Sequence, residues 1–172
     1  DSLLQKAVAA GQKVYGPKDL DGRVDFAPIA CLDELAVDHV QTTQSAKFAF
    51  FPKVEELFSF RREGNGQVLD EATEADIPAT LLLGVRPCDA AAIASLAAIF
   101  NWDTQDSQFN RRLARTTVVT VSCTHADEYC FCTSVGGGPG DSAGSDLLLT
   151  PLADGTYLTE VLTEKGQSLL AL

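Results

Sequence analysis

Apolar residues recur at helical spacing in Leu3, Leu4 and Ala7, which predicts a short helix over Ser2 to Ala10 that stops at Gly11. Extended pieces are expected at Lys13 to Tyr15 and Val24 to Ala30, separated by turns at Gly16-Pro17 and Asp21-Gly22. Leu32, Leu35, Ala36 and Val40 fit a helix and an extended segment equally well. The run Phe48-Ala49-Phe50-Phe51 halts at Pro52, a residue suited to the first turn of a short helix carrying Val54, Leu57 and Phe58. Core packing is the plain expectation for that run.

The pattern sharpens after the turn-rich Glu63-Gly64-Asn65-Gly66. Thr80 to Val85 has the length and composition of a buried strand, and Pro87-Cys88-Asp89 separates it from a helical pattern over Ala90 to Phe100, with Asp89 as N-cap. A second helix is expected over Gln108 to Arg115, followed by a β-branched strand, Thr116 to Val121. Strand, helix, strand implies a right-handed parallel crossover. Asp146 to Thr150 and Tyr157 to Val161 flank Ala153-Asp154-Gly155-Thr156, a hairpin signal, and Thr163 is placed to cap a last helix, Glu164 to Leu172. The predicted class is α/β: a mixed sheet with a parallel βαβ unit (strands about 80–86 and 116–122), a C-terminal β-hairpin and flanking helices.

Length changes the picture little: 172 residues predict a single domain, 1–172, large enough to bury about 70% of its unfolded surface. Charge excludes more. With 13 basic and 24 acidic residues the formal balance is −11, which opposes a phosphate-tracking surface, so no nucleic-acid partner is expected. No uncharged apolar run reaches the ~20 residues of a membrane span, so a chain without a transmembrane segment is expected. No basic-then-apolar signal pattern opens it.

Cysteine carries the chemistry. Cys88, Cys123, Cys130 and Cys132 crowd the middle of the chain in the pattern Cys-x34-Cys-x6-Cys-x-Cys, and Cys31 stands apart as an expected small core residue. The crossover would place Cys88 and Cys123 beyond the carboxyl ends of two parallel strands, the edge where open α/β sheets form sites. Cys130-Phe131-Cys132 follows in a loop, and Gly136-Gly137-Gly138-Pro139-Gly140 prevents regular structure after it. Four thiolates suit a [4Fe-4S] cluster. Zinc also accepts four cysteines, though the paired Cys-x-x-Cys knuckles it favours are missing, and thiols holding no cofactor are the third reading. Cys88 at a helix N-terminus is expected to be acidic and reactive.

Other residues are weaker candidates. Arg86 is placed to bind a carboxylate, a phosphate or a partner protein beside the cysteines, or to pair with Asp89. His125, between the cysteines, is the better ligand candidate of the two histidines, His39 being the other. Arg111-Arg112 reads as a solvated helix face. The glycine loop lacks a Walker lysine and a dinucleotide-fingerprint context, which argues against nucleotide binding. No Gly-x-Ser-x-Gly elbow or His-Glu-x-x-His helix supports a hydrolase.

Four stretches occur in a telling order: Phe51-Pro52-Lys53-Val54-Glu55-Glu56-Leu57-Phe58, Gly84-Val85-Arg86-Pro87-Cys88-Asp89, Cys130-Phe131-Cys132-Thr133-Ser134 and Asp146-Leu147-Leu148-Leu149-Thr150. In this order they resemble the iron–sulfur β subunits of sulfhydrogenase-type [NiFe] hydrogenases and their counterpart in anaerobic sulfite reductase, over about residues 48 to 165. The resemblance implies an electron-transfer subunit of a cytoplasmic oxidoreductase, not catalytic alone, that works between flavin-bearing and catalytic partner subunits. It also implies a [4Fe-4S] cluster on Cys88, Cys123, Cys130 and Cys132, which match the family pattern position by position, whereas Cys31 has no counterpart. In that family a ferredoxin-like segment with two cluster motifs follows this region. No such segment is present here, so the chain is expected to be the N-terminal domain of a larger subunit. The competing expectation is a cofactor-free docking module that holds the ferredoxin-like segment against partner subunits, using the Cys-Phe-Cys loop and the Phe48 to Phe60 stretch.

Overall fold

Leu81, Leu82, Val118 and Val119 alternate between two buried faces, and this is what fixes the two strands that carry them at the centre of the sheet. The computed structural model describes residues 2–64, 66–71 and 77–172. Its elements in chain order are α1 (Ser2–Ala9), β1 (Lys13–Asp19), β2 (Val24–Pro28), β3 (Phe58–Glu63), β4 (Gly66–Glu71), β5 (Thr80–Val85), α2 (Pro87–Phe100), α3 (Ser107–Arg115), β6 (Thr116–Val121), β7 (Leu147–Pro151), β8 (Tyr157–Val161) and α4 (Glu164–Leu170). A six-stranded sheet has the order β2-β1-β5-β6-β7-β8, with β1, β5, β6 and β7 mutually parallel and β2 and β8 antiparallel at the edges. The α/β class, the parallel unit of β5, α2, α3 and β6, and the C-terminal hairpin of β7 and β8 agree with the sequence pattern.

Two apolar layers clamp the sheet. Leu4 and Ala7 of α1 and Leu169 of α4 pack with Val14, Leu81, Val119 and Leu147 on one face. Ala90 and Ile93 of α2 and Phe109 of α3 pack with Leu82, Val85, Val118 and Phe50 on the other. Phe100 and Phe109 stack with ring centroids 4.6 Å apart, which locks α2 to α3.

Several local expectations are corrected. Gly16-Pro17 is not a turn but lies within β1. Pro17 stands past Tyr15, the last β1 residue paired with β5, so its missing N–H interrupts no bond to the central strand. No helix follows Pro52: Val54 is 89% exposed, and Phe58 begins β3. Glu55 instead ties this segment to α3 through an Arg112 ion pair at 2.6 Å, so Arg112 is not a merely solvated residue. Only Phe50 of the Phe48 run is fully buried, and Phe51 is exposed. Glu63-Gly64-Asn65-Gly66 connects the β3–β4 hairpin, a separate two-stranded sheet, with Asn65 itself outside the described residues. Cys31 is half-buried ahead of a 3-10 turn, Leu32–Glu34, not in the core.

The strand-to-helix step after β5 also differs. The α2 helix begins at Pro87, with Arg86 as its N-cap, because proline fits the first helical position where an N–H is not needed. Asp89 therefore sits in the first turn rather than at the cap. Before it, Gly84 takes φ +81° and the β5–β6 register slips between Leu83 and Val85, a bulge that lets the Pro17 ring approach to 3.0 Å of where a Cβ would stand.

Candidate functional site

Two strand ends and one long loop build the site. The end of β5 leads into Arg86 and, in the first turn of α2, Cys88; β6 leads into Cys123, and the connection from β6 to β7, residues 122–146, carries Cys130 and Cys132, its one regular piece among the described residues being a 3-10 turn, Cys132–Val135. A connection of that length with only one short 3-10 turn is uncommon unless it serves a site. The loop is pinned at several points: the Cys123 N–H donates to the Pro139 carbonyl at 2.8 Å, and the Gly137 N–H to the Cys132 carbonyl at 2.9 Å. Gln41 Nε2 donates to Asp127 Oδ2 at 3.1 Å, which ties the segment between β2 and β3 to the same loop. The Asp127 N–H in turn lies 3.4 Å from the Cys130 Sγ, an N–H donor directed at sulfur.

All four central cysteines line one cleft of about 800 Å3, together with Arg86 and the glycine loop from Gly136 to Gly138. No disulfide joins them. Burial pushes the Cys123 thiol above its ordinary value; the Arg86 charge works the other way, and the thiols of Cys88, Cys130 and Cys132 reinforce the rise. Cys88 is raised too, by desolvation first and by Asp89 second. Although the residue meets solvent, the cleft wall around its sulfur and the neighbouring carboxylate outweigh the helix N-terminus, so the expected acidic thiol is not found.

Arg86 does not pair with Asp89. Asp89 accepts from Ser45 Oγ at 2.8 Å, and Arg86, 9% exposed, donates through Nη2 to the His39 carbonyl. Its Nε is buried with no hydrogen-bond partner among the described residues. His39 Nδ1 lies 2.7 Å from the Ala36 carbonyl, and burial, aided by Arg86, lowers its pKa. His125 is exposed on the cleft wall and bonds Thr124 Oγ1 at 2.9 Å.

No family model matches the chain, and no solved structure matches it. Among curated proteins, sulfhydrogenase 2 subunit beta of Pyrococcus furiosus is 32% identical over 157 residues, 90% of this chain and 43% of that protein. Over this length the chain is similar to a sulfhydrogenase beta subunit. It spans less than half of the curated relative it matches. In this chain the Phe51–Phe58 motif is the segment held by Arg112, the Gly84–Asp89 motif is the bulge and N-terminus of α2, and the Asp146–Thr150 motif opens β7.

The donor set suits an iron–sulfur group in type and number, since each of four irons takes one cysteine sulfur. Arg86, which lines the cleft, sets one positive charge beside the thiols, suited to a thiolate-bound, negatively charged group. Among the described residues, no three His, Cys, Asp or Glu side chains converge on a point that would hold a single metal ion. Sequence reasoning missed the segment around Gln41 as part of this wall, because no motif marks it and only the tertiary contact to Asp127 reveals it.

Proposed function

We propose that the chain is an electron-transfer domain of a multisubunit oxidoreductase of the hydrogenase or sulfur and sulfite reductase type. In this reading Cys88, Cys123, Cys130 and Cys132 hold one [4Fe-4S] cluster. The observation that carries the reading is that four thiols, from two parallel strand ends and one pinned loop, line a single cleft. Such a group supplies one-electron transfer when bound. The chain's own residues hold the sulfurs, direct N–H groups at them and place a fixed cation beside them. Zinc fits less well: it needs its sulfurs about 2.3 Å from one point. Flavin-bearing and catalytic subunits are the partners, and a cytoplasmic location follows from the same reading. Among the described residues no helix is long and apolar enough to cross a membrane.

The test is anaerobic reconstitution of the chain with iron and sulfide, followed by metal analysis and EPR after dithionite reduction. About four irons and four sulfides per chain are expected, both lost in the Cys130→Ala, Cys132→Ala double variant. Zinc, or no metal in a folded chain, overturns the reading.

One observation favours a second reading, the docking module. The β3–β4 hairpin forms its own sheet, and the cross-strand neighbours Phe60 and Leu69 are both exposed. Two strands alone are marginally stable in water, so an apolar face of this kind suits a covering partner. A colourless, iron-free chain that binds its partner subunits is the outcome that selects it.

A further inference from the structure

Arg86 is anomalous for a buried cation. It is 9% exposed, and among the described residues it makes no ion pair with a carboxylate. The nearest acid in sequence, Asp89, is occupied by Ser45. A guanidinium withdrawn from water is costly unless a negative charge faces it. The chain holds it there with the His39 carbonyl and leaves Nε without an acceptor.

Its position specifies what the cation faces. Arg86 lines the thiol cleft between the end of β5 and the first turn of α2, whose free N–H groups and dipole add positive potential at the same point. Asp89 and Asp141 also line the cleft, so its wall is not positive throughout. Among the lining residues Arg86 is the one side chain with a fixed positive charge, His125 being the other basic group.

We propose that Arg86 is a positioning residue whose buried guanidinium, fixed by the His39 carbonyl beside the four-cysteine cleft, is the built-in counter-charge of the cluster and raises its reduction potential. The inference rests on the cluster reading. Reduction adds one electron, and so one negative charge, to the bound group; a fixed cation in a poorly hydrated wall stabilises that added charge more than it stabilises the oxidised form. The electron comes from the external donor, dithionite in the test, and no proton moves with it. Arginine suits this role because it stays charged at every working pH.

The experiment is an EPR-monitored redox titration of the anaerobically reconstituted chain as wild type, Arg86→Gln and Arg86→Lys, with iron and sulfide measured in each. In Arg86→Gln the reduced-to-oxidised ratio at a fixed potential falls at least tenfold, equivalent to a midpoint about 59 mV more negative for a one-electron couple. Arg86→Lys, which keeps the charge, restores most of the difference, which a merely structural role would not predict. If Arg86→Gln takes up no cluster while Arg86→Lys loads as wild type does, the requirement for charge is met by that result. Midpoints unchanged in Arg86→Gln, equal shifts in Gln and Lys, or loss of loading in both overturn the proposal while leaving the cluster reading standing. A wild-type chain that binds no iron overturns both.

Discussion

Gly166 of α4 lies so close to Asp146 that a Cβ on it would stand 2.2 Å from the Asp146 carbonyl oxygen and 2.9 Å from its carbon. That carbonyl also accepts the Leu162 N–H at 3.0 Å, so it cannot swing away without breaking the lead into α4. Gly166→Ala is therefore expected to destabilise the chain by about 1–3 kcal/mol through overpacking, even though alanine favours a helix by about 1 kcal/mol over glycine. Urea unfolding checks this; an unchanged or higher midpoint would show that α4 shifts without cost.

Asp146 itself joins three elements from a buried position. Its carboxylate accepts the Val118 N–H of β6 at 2.8 Å and the hydroxyl of Thr163, the α4 cap, and it pairs with Lys165 at 3.3 Å. Asp146→Ala leaves a buried donor unmet and is expected to cost about 3 kcal/mol. Asp146→Asn retains an acceptor oxygen and should cost less. The order Ala below Asn below wild type in thermal unfolding is the check, and equal losses in the two variants would sink the account.

His39 gives the pH dependence a sign. Desolvation, with repulsion from Arg86, lowers its pKa in the folded chain, against the smaller opposing pull of the Ala36 carbonyl and Asp89. Below the ordinary imidazole value of about 6.5 the unfolded chain takes up the proton more readily. The contribution is thus fully present above that pH and is lost as pH falls toward the lowered folded value. Glu34, drawn down to about 2 by the Ala30 N–H and by Lys18, titrates in a separate window below 4.5. Urea midpoints should fall between pH 7 and 5 in wild type and fall less in His39→Gln. Parallel profiles would remove His39 as the cause.

Thiol reactivity follows from the raised values of Cys88 and Cys123. In the cluster-free chain at pH 7.5, both should alkylate with iodoacetamide more slowly than in the urea-unfolded chain, read site by site by mass spectrometry. Equal rates in the two states would mean that the cleft does not desolvate them.

The sequence pattern made the centre of the fold legible for a physical reason. Thr80–Val85 and Thr116–Val121 are apolar or β-branched on both faces because both faces are covered, and a sheet of that kind places Cys88 and Cys123 on one edge. Pro52 misled because propensity at a helix start means little when no apolar stripe follows to be buried; Val54 and Leu57 face outward and Glu55 is claimed by Arg112. Asp89 misled because capping chemistry is local, whereas Pro87 starts the helix three residues earlier than expected and Ser45, far away in sequence, takes the carboxylate. The contact between Arg86 and the His39 carbonyl has no signature at all, since a backbone carbonyl carries no side-chain identity.

The parallel pairing of β5 with β6 also sets an order of events. Cys88 lies beyond one strand and the other three cysteines beyond the next, with α2 and α3 threaded between them. A chain still leaving the ribosome presents Cys88 long before its companions, and the four sulfurs face a common space only after a non-local contact has closed. On the cluster reading, a bound group would meet its complete set of donors only in the folded chain, and its binding would add to the stability of the sheet edge that assembled it.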